Sequence, residues 1–263
     1  KTKHINELQN KQMQDGNSEK RFVILGQEIK MGESAVIEME VAKLHTRNSL
    51  SIPIIVERSS IEGPVLLLMG GVHGDEINGI ETIRRVMHDI KPEKLSGAII
   101  GVPIVNQMGF RRGSRYLPDR RDLNRFFPGN SSGSSASRIA YSLFDKLIVH
   151  CDALVDIHTG SFHRTNIPQL RANINNPAVH ALAQAFGDIV VLHSEGARGT
   201  LRREAVDYGI PTVTLEAGES LRIQEDVVVA GADHVNTLLT KLQIRCFPNP
   251  LYCSWAWQAV PLR

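Results

Sequence analysis

The stretch PVLLLMGGVHGDEINGIETIRRVMHDI, residues 64–90, contains the clearest fold signal of the chain. It begins with an apolar run that closes on Gly-Gly-Val, which is typical of a strand buried on both faces. Apolar residues then recur at helical spacing, at Ile77, Ile80, Ile83, Met87 and Ile90. A buried strand followed directly by an amphipathic helix predicts an α/β fold.

The same alternation continues along the chain. Residues 98–106, 152–158 and 211–218 are predicted to be further buried strands with helices between them, and a last long helix is predicted over 224–242. Residues 107–135, rich in Arg, Gly, Pro and Ser, are predicted to be a loop. Strands that alternate with helices predict a mostly parallel mixed sheet with helices on both faces.

The composition fits a protein of this class. The chain has 263 residues, is 42% apolar and has a formal net charge of +2, from 30 Lys and Arg against 28 Asp and Glu. This balance argues against a nucleic-acid-binding or membrane-surface protein. No apolar run approaches the roughly 20 residues of a membrane span, and three cysteines cannot form a disulfide framework. We expect a cytoplasmic protein without nucleic-acid or membrane partners, and leave open whether it forms a homo-oligomer.

Polar side chains follow three of the predicted strands. His73 and Glu76 come after the strand that opens the quoted stretch, while His158 and Glu216 end two later strands. Ligands collect at the carboxyl ends of parallel strands, so we expect these side chains to converge on one edge of the sheet. The loop over 107–135 adds six more candidates, Arg115, Arg120, Arg121, Asp122, Asn124 and Arg125.

Two histidines and one carboxylate are the ligand set of a catalytic zinc ion, which leaves the fourth position to water. Such an ion lowers the pKa of the water to about 7 and polarises a carbonyl. A carboxylate that is not a ligand then takes the proton, and Glu216 is the candidate. Each residue also has an ordinary structural explanation: His73 could cap or pack, and Glu76 could be a first-turn acid favoured by the helix dipole.

Four sequence motifs carry a family resemblance. They are GGVHGDEINGIETIRR (70–85), SRYLPDRRDLNRFFPG (114–129), DALVDIHTG (152–160) and TLEAGES (214–220). Together they resemble the succinylglutamate desuccinylase/aspartoacylase family, which has a zinc carboxypeptidase-like fold. The resemblance implies a zinc-dependent hydrolase that cleaves the amide bond of a small N-acyl amino acid and binds one zinc ion per chain.

The resemblance also implies roles for individual residues. His73, Glu76 and His158 match the zinc ligands of the family, and Glu216 matches its general base and acid. Asp122 matches an acid that orients a ligand histidine, a role that physical reasoning also favours.

Substrate binding is assigned in the same way. Asn124 and Arg125 match the pair that binds a substrate carboxylate, so the partner is a small carboxylated molecule. Arg115 resembles the arginine that stabilises the oxyanion in the family, and Arg120 and Arg121 are the alternative candidates for this role.

The family pattern ends before the chain does. We expect a leader over 1–20, a catalytic domain over 21–245 with a β-rich entry segment over 21–60, and an atypical tail over 246–263. Both tryptophans lie in this tail, where relatives have a smaller β domain. This suggests a truncation or a frame change near residue 247, and the alternative is a short C-terminal segment that packs on the domain. Two alternative functions remain open. The ligand set and the Asn-Arg pair also suit a metallocarboxypeptidase acting on a peptide C-terminus, and a missing C-terminal domain would leave a metal-binding protein with little activity.

Overall fold

The computed structural model of the protein describes residues 21–43, 49–242 and 244. Its strands are β1 (Val23–Ile24), β2 (Gln27–Glu28), β3 (Ser34–Lys43), β4 (Ser49–Arg58), β5 (Val65–Gly70), β6 (Ala98–Val102), β7 (Ala153–Gly160), β8 (Asn166–Ala172), β9 (Val190–His193) and β10 (Thr212–Glu219). Its α-helices are α1 (Ile77–Asp89), α2 (Gln107–Phe110), α3 (Ser135–Lys146), α4 (Pro177–Gln184), α5 (Leu201–Tyr208) and α6 (Glu225–Lys241).

Eight strands form one mixed sheet in the order β3-β4-β6-β5-β7-β10-β8-β9. The centre is parallel, because β5 pairs with β6 and β7, and β7 pairs with β10. Strand β8 runs antiparallel to β10. The short connection over 161–165 explains this direction, since a parallel return needs a crossover of a dozen or more residues. The predicted mostly parallel mixed sheet is confirmed.

Both faces of the sheet are buried, as the apolar run in β5 requires. Leu66 and Leu68 pack in a core that includes residues of α1, α4 and α6. Leu67 and Met69 point to the opposite face, where α3, α5 and the β1–β2 hairpin contribute. Side chains alternate between faces along a strand, so a continuous apolar run supplies both cores. Helices on both faces are thereby confirmed.

Two short elements interrupt the segment that was predicted to be a loop over 107–135. Helix α2 begins after Asn106, whose side chain accepts a hydrogen bond from the Gly109 amide at 2.8 Å. A 3₁₀ turn over Leu123–Arg125 begins in the same way at Asp122. Both turns begin at single capping side chains and have no apolar periodicity. Hydrophobic periodicity in the sequence therefore does not predict them.

The predicted entry segment over 21–60 forms strands β1 to β4, as expected for a β-rich stretch. The predicted leader over 1–20 and tail over 246–263 lie outside the described residues. Within the residues that the structure describes, none of the helices combines the length and the apolar character needed to cross a membrane.

Candidate functional site

The candidate site lies at the carboxyl edge of the central parallel strands. His73 and Glu76 lie in the turn between β5 and α1. His158 in β7 and Glu216 in β10 are direct register partners. A side chain at Gly74 would bring its Cβ within 2.1 Å of the Gly109 carbonyl carbon. Only glycine therefore lets this turn pack so closely against α2.

His73, Glu76 and His158 form a buried triad with their polar atoms facing each other. The Nδ1 atom of His73 is 2.9 Å from Glu76 Oε1, and the Nδ1 atom of His158 is 2.7 Å from Glu76 Oε2. The two Nδ1 atoms are 3.2 Å apart. One ligand atom from each residue lies within 4.8 Å of the others, and the three residues are at most 4% exposed. The structure thus brings together the three predicted metal ligands.

A carboxylate holds the second ring nitrogen of each histidine. His73 Nε2 is 2.9 Å from Asp122 Oδ1, and His158 Nε2 is 2.8 Å from Asp156 Oδ2. This type of contact was expected for Asp122, whereas the contact of Asp156 was not predicted from the sequence. A signal was present, because Asp156 precedes His158 by two positions in a buried strand and so lies on the same face. A buried carboxylate in an apolar strand needs such a partner.

The charges of the triad are strongly coupled. Burial alone would lower the pKa of His73 and of His158, but the neighbouring carboxylates outweigh it and raise both. Burial would conversely raise the pKa of Glu76, and the two histidines hold it well below its usual range. The cluster therefore favours positive charge between its three groups, and a bound divalent cation would take the place of the protons there.

The donor set fits zinc. Two imidazole nitrogens and one carboxylate oxygen are the ligands of many catalytic zinc sites. The carboxylates behind both histidines are the usual outer partners of such ligands, because they fix the ring tautomer and orientation. The donor atoms and the burial of the three side chains are therefore both suited to a zinc ion.

Arg115 is the arginine that contacts the triad. Its Nη1 donates to Glu76 Oε1 at 2.9 Å and its Nη2 donates to Asp122 Oδ2 at 3.2 Å. Among its rivals, Arg121 bonds to Asp119 at 2.6 Å, and Arg120 is exposed. This placement gives Arg115 two N–H groups beside the proposed metal position.

Glu216 projects from the same face of the sheet as His158 and is 8% exposed. Its Oε2 accepts a hydrogen bond from Asn166 Nδ2 at 2.9 Å, and its Oε1 lies 3.4 Å from Arg171 Nε. Both oxygens of the carboxylate therefore have a neighbouring partner, and the side chain lies on the strand next to the one that carries His158.

Arg202 in α5 is a buried arginine that was not predicted from the sequence as part of the site. It is 7% exposed and its guanidinium donates to the Ser194 carbonyl oxygen. Burial lowers the pKa of Arg202, while the charges of Asp156 and Glu216 act in the opposite direction. Its sequence signal was weak because an arginine in a helix is by default a solvated residue.

Asn124 and Arg125 do not contact the triad directly. The Asn124 side-chain oxygen accepts the Leu201 amide at 2.8 Å, so Asn124 contacts the first residue of α5. Its backbone N–H donates to Asp122 Oδ1 at 2.9 Å, which links it to the partner of His73. Arg125 is exposed, and its Nη1 donates to the Asn124 carbonyl at 2.7 Å.

The sequence matches one protein-family model. The family is described as the succinylglutamate desuccinylase/aspartoacylase catalytic domain, and its model matches residues 62–242. The N-alpha-acetyl-L-2,4-diaminobutyric acid deacetylase of Halomonas elongata is 34% identical over 145 residues, which cover 53% of this chain and 42% of that protein. A succinylglutamate desuccinylase of Pseudomonas fluorescens is 34% identical over 111 residues, covering 36% of this chain and 30% of that protein. The matches thus span less than half of either relative.

Solved structures agree with this match. The crystal structure of a succinylglutamate desuccinylase/aspartoacylase from Rhodobacter sphaeroides has a TM-score of 0.72 at 26% identity, over 83% of this chain and 67% of that chain. The product-bound ectoine utilization protein EutE (DoeB) from Ruegeria pomeroyi has a TM-score of 0.69 at 27% identity, over 80% of this chain and 68% of that chain. These similarities confirm the predicted fold class.

Proposed function

The chain belongs to the succinylglutamate desuccinylase/aspartoacylase family, and we propose that it is a zinc-dependent hydrolase of a small N-acyl amino acid or similar carboxylated amide. The observation that carries the proposal is the buried triad of His73, Glu76 and His158 with Glu216 on the adjoining strand. The names of the relatives, a deacetylase and a desuccinylase, point to the same class of amide bond.

The triad would hold one zinc ion between its facing atoms. Asp122 and Asp156 accept the N–H of the opposite ring nitrogens, which leaves the lone pair of each Nδ1 directed at the metal position. When bound, zinc supplies a Lewis acid that makes water more acidic and polarises a carbonyl.

Glu216 would move the proton. It accepts the proton of the attacking water and then donates it to the departing nitrogen, a task that needs a carboxylate outside the ligand set. Asn166 and Arg171 contact its two oxygens, so the carboxylate is positioned beside the strand of His158 before substrate binds.

Arg115 would stabilise the charge that develops on the carbonyl oxygen. Its bonds to Glu76 and Asp122 fix the guanidinium next to the triad before substrate arrives. A donor that is already in place needs no reorganisation when the negative charge develops.

Asn124 and Arg125 would bind the substrate carboxylate. The guanidinium of Arg125 is exposed and suits a bidentate pair with a carboxylate. The side-chain oxygen of Asn124 is already bonded to Leu201, so its amide nitrogen is the group that would donate to the substrate.

The proposal is tested by metal analysis together with a panel of N-acyl amino acids. We expect about one zinc ion per chain and turnover of at least one member of the panel. Glu216→Gln should keep the metal and lose turnover by about 10²-fold or more, whereas His158→Ala should lose the metal. Absence of any bound divalent metal, with no metal restoring activity, would defeat the proposal.

The alternatives give different results in the same experiment. Short peptides with a free carboxyl terminus, assayed in parallel, would be the preferred substrates of a metallocarboxypeptidase. Bound zinc without turnover of either class would instead favour a metal-binding protein with little activity.

A further inference from the structure

Two large apolar side chains lie exposed at the edge of the candidate site. Phe162 is 60% exposed and Leu221 is 56% exposed. The ring centroid of Phe162 lies 6.0 Å from Cζ of Arg115. The Leu221 amide donates to the carbonyl oxygen of Asp75 at 2.7 Å, one residue before Glu76. Phe162 therefore lies beside Arg115, and the loop of Leu221 is bonded to the turn that carries His73 and Glu76.

The backbone at these two positions is in an unusual conformation. Phe162 has a φ of 54° and Leu221 has a φ of 69°, which lie in the left-handed region that side chains other than glycine rarely adopt. Residues held in this region persist where the surrounding contacts enforce them, and they cluster at ligand-binding sites.

The two loops are also tied to each other. Thr165 Oγ1 donates to Glu219 Oε2 at 3.0 Å. The Ser220 amide donates to the Gly160 carbonyl at 3.2 Å. These hydrogen bonds, together with the bond to Asp75, fix the loop of Phe162 and the loop of Leu221 relative to each other.

The apolar pair adjoins other residues of the site than the proposed carboxylate-binding pair does. Phe162 approaches through Arg115, and Leu221 through Asp75, whereas Asn124 is linked to the triad through Asp122. If Arg115 faces the carbonyl that is cleaved, the amino-acid half of the substrate lies towards Asn124. Phe162 and Leu221 are then the exposed apolar groups at this edge that remain for the acyl half.

We propose that Phe162 and Leu221 bind the apolar chain of the acyl group, so that preferred substrates carry an N-acyl chain longer than acetyl. The inference rests on the proposed function and specifies its substrate class. Exposed apolar surface beside a reactive centre gains from contact with methylene groups, because each methylene leaves water when it binds. Full burial of a methylene corresponds to a factor of about four in affinity, which sets the upper limit of the effect.

The test is a chain-length series on the metal-loaded full chain. N-acetyl, N-butyryl and N-hexanoyl derivatives of one amino acid are compared by kcat/KM. We expect a rise of about tenfold or more from acetyl to hexanoyl, and a hexanoyl-to-acetyl ratio close to one in Phe162→Ala and Leu221→Ala. The matched control is Val36→Ala, since Val36 is 67% exposed on β3 and its loss should keep the wild-type ratio.

Calorimetry gives a second readout that does not depend on turnover. Hexanoate should bind the zinc-loaded protein more tightly than acetate, and both alanine variants should reduce the difference. A flat or falling chain-length series, or a ratio that both variants leave unchanged, would overturn the inference while hydrolysis of the acetyl derivative upheld the proposed function.

Two further outcomes also count against it. Failure to hydrolyse any N-acyl amino acid with zinc bound would overturn the proposed function and this inference together. If the variants change the solution mass of the protein and leave the ratio unchanged, the apolar pair belongs to a contact between copies of the chain, and the inference is wrong.

Discussion

At the scale of single residues, Asp156 tests how far the site depends on the groups that contact the proposed metal ligands. It is 1% exposed, and its Oδ2 lies 2.8 Å from His158 Nε2. Asp156→Asn replaces this charge with a neutral amide of the same size, so His158 becomes a weaker donor to the metal. We expect the affinity for zinc to fall about 10- to 100-fold, measured by competition with a chelator.

Asp233→Asn is the matched control for this change. Asp233 is exposed on α6 and is neither a member of the triad nor one of the residues described in contact with it, so its substitution should leave zinc affinity unchanged. An Asp156→Asn protein that binds zinc as tightly as the parent would show that Asp156 does not tune the metal site.

The residues of the triad were easier to predict than the groups that support them. His73 and His158 follow apolar strand runs, and the carboxyl ends of parallel strands meet at one edge, so local pattern and topology suffice. The partner of Asn124 could not be predicted in this way. Its side chain bonds to Leu201, 77 residues later, and no local pattern signals that contact.

At the scale of elements, the contact between Asn124 and α5 gives a stabilising role to a residue that is also proposed to bind substrate. The Asn124 side-chain oxygen satisfies the Leu201 amide, one of the N–H groups that the first turn of a helix leaves without an internal partner. Asn124→Ala should therefore lower the free energy of unfolding by about 1 kcal/mol and also reduce kcat/KM through loss of the substrate contact. Chemical denaturation and kinetics measure the two effects.

Asn176→Ala separates these two effects. Asn176 caps α4 by accepting the Ala178 amide at 3.0 Å and the Val179 amide at 3.2 Å. Its loss should lower stability by a similar amount, about 1 kcal/mol, with kcat/KM unchanged. Equal kinetic effects from both substitutions would show that Asn124 acts only as a helix cap.

Element types followed from the sequence more reliably than element directions. The apolar run of β5 and the helical spacing of α1 predicted both elements, because periodicity reports burial directly. The antiparallel direction of β8 was not predicted, since direction depends on the short connection over 161–165 and on pairing with a strand that comes much later in the chain.

At the scale of the whole molecule, the sheet separates two apolar cores that are not equivalent for function. Asp156, His158 and Glu216 alternate along their strands with apolar residues that pack against α1, α4 and α6. The site therefore lies on the opposite face of the sheet, which also carries the core formed with α3, α5 and the β1–β2 hairpin. That core also contains Leu123 and Leu201, which are neighbours of the proposed substrate-binding residues.

Leu67 and Leu68 allow the two cores to be compared, because they are adjacent in β5, fully buried and on opposite faces. Each substitution to alanine removes the same atoms, so each should lower the free energy of unfolding by about 2–5 kcal/mol in chemical denaturation. Both cores share one sheet, so unfolding should remain a single transition. In conditions where both variants are folded, Leu67→Ala should reduce kcat/KM and zinc affinity more than Leu68→Ala, because its cavity opens on the face that carries the site. Equal losses of activity would mean that the sheet itself, and not the core beneath the site, holds the reactive side chains in position.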